Sequence, residues 1–171
     1  MRKQFYTDLT SQLGKIRMNA DGSYTLSDTG EAAIKHFDRW NQQTEYTEES
    51  PPFACPAVFV ELLPIQWKVM VEGKREAAVR VTLHVVMEQY NSSHEAQVLA
   101  FYDLLDAINK CLYSFVQSYC GTLTPESSEE DSDLSTLLHN VETYSCRVVD
   151  SSACTETQTT PANQVTVRIT T

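Results

Sequence analysis

A chain of 171 residues with 42% hydrophobic content is long enough for one domain with a real core, or one domain with an appended arm. Its 13 Lys plus Arg against 23 Asp plus Glu leave a formal net charge of -10, which repels polyanions and argues against sequence-specific nucleic acid binding. No apolar run approaches the roughly 20 residues that span a bilayer, and Met1-Arg-Lys-Gln-Phe-Tyr-Thr-Asp8 lacks the apolar stretch of a signal peptide, so no membrane partner and folding in a cytoplasm are expected.

Phe5, Leu9, Leu13 and Ile16 recur at helical spacing, with Lys3, Asp8, Gln12 and Lys15 elsewhere on the wheel, which predicts an amphipathic helix ending near Arg17. Asn19-Ala-Asp-Gly-Ser23 follows as a turn, because Gly tolerates positive φ and Asn and Asp bond their own backbone. From Tyr24 to Asn41 the pattern is mixed: Ala32-Ala33-Ile34 favours helix, while His36 to Trp40 alternates and reads as a strand. A short helix fits the polar Gln42 to Glu49, before Pro51-Pro52 forces an extended approach to Phe53.

Pro56 to Ile65 is apolar and β-rich with Glu61 as its one charge, predicting a strand buried on both faces, with Pro64 at a bulge or an edge. Glu72-Gly-Lys74 is a hairpin turn candidate. In the next run Val79, Val81, Leu83, Val85 and Met87 alternate with Arg80, Thr82, His84, Val86 and Glu88, giving a core face and a mostly polar face. These two runs are expected to be neighbours in an antiparallel sheet. After Asn91-Ser-Ser-His94, the residues Val98, Phe101, Leu105, Ile108, Leu112 and Phe115 mark a long helix lying across that sheet, capped by Ser92 or Ser93. Gly121 to Thr124 and Val141 to Val149 read as further strands, with Tyr144, Cys146 and Val148 on one face of the second. The expected fold class is therefore α+β: a mainly antiparallel sheet packed by an N-terminal helix and one long central helix. Residues 1–153 form one domain, and 154–171 a Thr-rich linker and a C-terminal strand, Val165, Val167 and Ile169 sharing one face. That strand can return to its own sheet or join a neighbour's edge.

Chemistry is sparse along this chain. Five cysteines, Cys55, Cys111, Cys120, Cys146 and Cys154, contain no C-x-x-C pair and read as small core hydrophobes. Glu126 to Asp133 places five carboxylates in eight residues, but without the Gly and the terminal Glu of an EF-hand register it reads as a solvated loop. Its residues Glu129, Glu130, Asp131 and Asp133 would keep phosphates from adhering if the loop faced passing DNA. The histidines His36, His84, His94 and His139 are scattered, and neither a nucleophile elbow nor a glycine-rich phosphate loop is present, so no catalytic residue, metal or cofactor is expected. Trp40 and Trp67 read as core or sheet-edge packing, with interface anchoring as the alternative. Lys68, Lys74, Arg75 and Arg80 gather around the hairpin between the two long strands and are candidates to meet an acidic neighbouring subunit.

Ile34-Lys-His-Phe-Asp-Arg-Trp-Asn41, Pro52 to Trp67 and Val81-Thr-Leu-His-Val-Val86 together resemble a family of small tail-terminator-like, head-to-tail joining proteins from bacteriophages and prophages of Bacteroidetes. The resemblance continues through Phe101-Tyr-Asp-Leu-Leu-Asp106 and Glu142 to Asp150, and covers roughly residues 30 to 153. Where relatives carry an Asp-His repeat before the last helix, this chain has Glu129-Glu-Asp-Ser-Asp133. The resemblance implies a non-enzymatic structural virion protein at the phage neck: a homo-oligomeric ring, expected as a hexamer with a dodecamer as the alternative, through which DNA passes. Its further partners would be other neck, connector and tail proteins. Ring subunits meet head to tail through two different surfaces. Trp67, Lys68, Lys74, Arg75, Arg80 and the terminal strand Val165 to Ile169 are the interface candidates. Two other classes compete: a small ligand-binding or regulatory module of a prophage with a concave pocket, and a hydrolase requiring Cys55, His84 or Cys146 exposed beside a polar partner.

Overall fold

The computed structural model describes residues 1–44, 53–70, 73–88, 94–131, 137–152 and 154. Helix α1, Arg2–Leu13, buries Phe5, Leu9 and Leu13 on one stripe, as their spacing predicts. It ends at Leu13, four residues before the expected Arg17. Ile16 belongs instead to β1, Ile16–Met18, which pairs antiparallel with β2, Tyr24–Leu26. The Asn19–Ser23 turn explains the change: the Asn19 N–H bonds the Ser23 carbonyl at 2.8 Å, Gly22 takes φ of 84°, and Asp21 accepts from the Ser23 N–H. A hairpin closed by that turn claims Ile16 for a ladder while keeping it fully buried, so tertiary pairing overrides the helical period.

The main sheet contains β3, His36–Arg39, β4, Ala57–Leu62, β5, Lys68–Val69, and β6, Arg75–Glu88. Helix α2, His94–Tyr113, precedes β7, Thr124–Asp131, and β8, Leu137–Asp150. Strand order is β3-β4-β6-β8-β7, with β5 also on β6. β3 and β4 run parallel and every other pairing in the sheet is antiparallel. Two helices over a mostly antiparallel sheet make the fold α+β, and the expected β4–β6 neighbourhood holds in register from Ala57↔Val86 to Leu62↔Val81. Pro64 lies between β4 and β5, where strand pairing with β6 is interrupted, as suits a residue with no N–H to give.

One sheet face, with Val58, Val60, Val79, Val81, Leu83, Val85, Tyr144 and Val148, packs on both helices. From α2 it receives Phe101, Leu104, Ile108 and Leu112, each worth about 1.5–3 kcal/mol on burial. Glu95 in the first turn of α2 and Lys110 in its last turn both match the helix dipole. Phe115, just past the helix, meets Phe5 edge-on at 6.0 Å and ties α2 to α1. The predicted caps Ser92 and Ser93, the short helix over Gln42 to Glu49 beyond Thr44, Glu72, Asp133 and the C-terminal strand fall outside the described residues.

Two expectations for the sheet are corrected. The polar face of β6 is not open: Thr82, His84 and Val86 are all buried. Trp40 stacks on His84, and Trp40 and Phe53 pack on this face against Phe59 and Val86. Sequence alternation marks which residues share a face but not whether another segment covers it. The acidic run is also not a loop. Glu126, Glu129, Glu130 and Asp131 lie on β7, which begins at the Thr124 where the predicted short strand ended. An edge strand presents both faces to water at this position, so its carboxylates stay solvated while its backbone pairs with β8.

Candidate functional site

The hairpin cations are drawn together around the start of β6, but toward partners in their own chain. Arg75 places Nε and Nη2 on Asp150 Oδ2 at 3.0 and 2.7 Å, with its guanidinium 4.6 Å above the Trp67 ring. These hydrogen bonds hold the Asp150 carboxyl down at about 2. Arg80 Nε lies 2.8 Å from Glu126 Oε2 on β7, and Lys68 Nζ 3.8 Å from Glu76. Arg147 also bonds Glu76. Lys74 sits at the turn, its carbonyl accepting from the Met70 N–H at 2.7 Å. What the sequence did not single out is the apolar tip beside them: Val69 is 79% exposed and Met70 is also exposed. A two-residue run carries too little periodicity to show which way it faces.

The covered face of the sheet holds a chain of polar groups. His36, Ala57, Val86, His139 and Asp131 stand in register across five strands, and His84 lies diagonal to His139. Trp40 stacks on His84 almost parallel, with centroids 3.7 Å apart at 5°. Asp131 Oδ2 is 2.9 Å from His139 Nδ1, and His139 Nε2 is 3.1 Å from His84 Nδ1. An ionised carboxylate only accepts, so His139 carries its hydrogen on Nδ1 and accepts at Nε2; His84 must then donate from Nδ1. That assignment leaves His84 Nε2 as a bare lone pair. It is buried without a hydrogen bond, 3.5 Å from Glu61 Oε2. Burial, reinforced by His139, drops the His84 ring to about 4, with Asp131 opposing. The arrangement holds a neutral His84 ring under an indole lid, and that ring takes up a proton only in acid. Sequence spacing could not reveal it, since the two histidines are brought together by strand register across β6 and β8.

A groove of about 540 Å³ lies on the helix side between the end of α2 and β7, lined by Asn109, Tyr113, Pro125, Ser128, Glu142 and Tyr144 among others. Glu142 is nearly fully buried and accepts at Oε1 from Ser128 and Asn140, each at 2.6 Å. Desolvation outweighs those hydrogen bonds and raises its carboxyl above the ordinary range. Tyr144 donates to Asn109 at 2.6 Å, fixing the floor of the groove to α2. At its rim Tyr113 is 78% exposed, and Val116 just beyond is also exposed.

The hydrolase alternative asks for one of Cys55, His84 or Cys146 to be exposed beside a polar partner. Cys146 and His84 are buried, and burial pushes the Cys55 thiol up to about 11, away from nucleophilic use at neutral pH. Among the described residues, no set of three or more His, Cys, Asp or Glu is grouped to hold a metal ion, and no helix is long and apolar enough to cross a membrane.

No family model and no curated protein matches the chain. Among solved structures, it is similar to a chain of one described as "Virion of native gene transfer agent (GTA) particle", at 11% identity and a TM-score of 0.42, over 68% of this chain and 79% of that one. A likeness that weak decides neither family nor role.

Proposed function

We propose that this chain is a structural subunit of a phage-type virion, closing into a homo-oligomeric ring in the neck or head-tail connector, with a tail-terminator or tail-completion role. The resemblance across residues 30 to 153 motivates the reading. One observation carries it: among the described residues, exposed apolar side chains lie at unlike places, and besides Met18, Leu26, Leu99 and Tyr102 two such groups flank the sheet on different sides. One is the hairpin tip, Val69 and Met70, beside β6 on the side of β4. The other is Tyr113 and Val116 at the end of α2, where Tyr113 meets the groove walled by β7. A rotationally closed ring needs two different surfaces per subunit, each complementary to the other, whereas a two-fold dimer needs one self-complementary surface. The hairpin tip of one copy docking at the groove of the next satisfies that requirement. The acidic β7 edge suits a ring traversed by DNA, since carboxylates facing a lumen repel phosphates. Val165, Val167 and Ile169 offer a second, strand-mediated link to a neighbour.

Native mass spectrometry of the full chain tests this. Rings of six or twelve copies are expected. The pair Val69→Asp with Met70→Asp should give folded monomers, and so should Tyr113→Asp. Mixing the two variants should restore a single interface and yield dimers that cannot close. A monodisperse monomer of the unaltered chain at high concentration would sink the ring reading in favour of a ligand-binding module, for which the groove is the site. Truncation after Ser152 that still gives normal rings would remove the terminal strand from the interface while leaving the hairpin-to-groove contact standing.

A further inference from the structure

We propose that Cys120 and Cys146 are a site of oxidative modification, closing a disulfide that clamps the connection after α2 onto β8. Their sulfurs lie 3.1 Å apart, inside the separation of roughly 3.5–4.0 Å at which non-bonded heavy atoms rest. Both side chains are buried, and the backbone around each is held. The Gly121 N–H bonds the Arg147 carbonyl at 2.9 Å, the Val149 N–H bonds the Tyr119 carbonyl at 2.9 Å, and Cys120 bridges Val148. Residues 119–121 thus continue the line of β7 along β8. Cys120 is further fixed by a reciprocal pair of backbone hydrogen bonds with Gln117, and Cys146 by its ladder position opposite Val79. Sequence gave no hint of the pair, because 26 positions separate the two thiols.

The shared S–H···S contact makes the two sulfurs unequal. It holds the Cys120 thiol below its ordinary value and pushes the Cys146 thiol up, since the Cys146 S–H can donate to a Cys120 thiolate. With the two sulfurs in contact, whichever is oxidised first is resolved by the other, and the atoms balance the same way from Cys120 or from Cys146. A small peroxide is the class of oxidant that fits a buried pair. Written from Cys120, the thiolate attacks one oxygen of hydrogen peroxide, an S–O bond forms as the O–O bond breaks, and the departing hydroxide takes up the Cys120 proton as water. Cys146 sulfur then attacks the Cys120 sulfenic acid: the S–S bond forms, the S–O bond breaks, and that oxygen leaves as a second water carrying the Cys146 proton. Two thiols lose two electrons in total and one peroxide gains them. The product loop encloses the whole of β7 and most of β8, so the bond restrains the edge strand and the groove wall together.

The test uses the full chain, purified reduced, exposed to hydrogen peroxide and quenched with catalase. Free thiols are then alkylated in denaturant before combined cleavage at Lys, Arg and Glu. The expected product is a monomer two hydrogens lighter, with residues 111–126 joined to 143–147 through Cys120 and Cys146. Its thermal midpoint should rise by about 5–10 °C and return when reductant is added. Cys120→Val, which keeps the site apolar, should fold and lose both the crosslink and the shift; Cys146→Val should do the same. Alkylation of both Cys120 and Cys146 after a dose that has oxidised Cys154 would overturn the proposal. So would a crosslink through Cys111, Cys55 or Cys154, or an oxidised pair with an unchanged midpoint.

Discussion

The two faces of the central sheet are closed by different means. On the helix side, Val79, Val81, Leu83 and Val85 meet two amphipathic helices, and the interior is mostly aliphatic and aromatic, with the buried Glu142 at the groove beside β7. On the other side Trp40 lies against His84, His139 and Phe59, and Phe53 against Phe59, over a buried imidazole chain anchored at Asp131. Aliphatic packing is sensitive to volume and indifferent to pH, whereas the covered His84 ring favours the fold only while neutral. One sheet therefore carries a mechanically robust layer and a chemically conditional one.

Four perturbations separate these layers, beginning with the largest. Leu83→Ala opens a cavity under the helices and should lower unfolding free energy by about 3 kcal/mol in urea titrations, with the loss unchanged between pH 7 and pH 5. Acidification acts on the opposite face. The His84 ring is held at about 4 in the fold against 6.5 ordinarily, so its contribution is whole above pH 6.5 and is lost as pH falls toward 4. On the order of 2–3 kcal/mol should disappear across that window. In His84→Gln, whose amide still donates to His139, that part of the acid limb should flatten, and an unchanged acid limb would refute the assignment. Removing the lid by Trp40→Ala should lower stability by about 2 kcal/mol at pH 7. By admitting water it should also move the His84 titration, followed by NMR, back toward the ordinary imidazole range. Glu142→Gln should have the smallest effect and the opposite sign. Burial raises that carboxyl in the fold, so ionisation opposes folding above the ordinary carboxylate range; the amide should gain stability at pH 7 by less than about 1 kcal/mol, and the gain should vanish below pH 4.

Periodicity within one segment was enough for much of the architecture. The stripe Phe5, Leu9, Leu13, the 3.6-residue pattern of α2, the alternation of β6 and the Tyr144, Cys146, Val148 face all appear in the fold as their spacing predicts, because each is imposed by local backbone geometry. The α+β class follows from their order, and the interruption at Pro64 from the chemistry of a residue without an N–H. What local geometry cannot carry is the meeting of distant residues. The departure of Ile16 from α1, the strand formed by the acidic run, the burial of the polar face of β6, the His84–His139 chain and the Cys120–Cys146 contact all depend on which strands lie side by side and in what register. Register is set by the sum of long-range packing and backbone pairing, so it was decided only when the whole sheet closed.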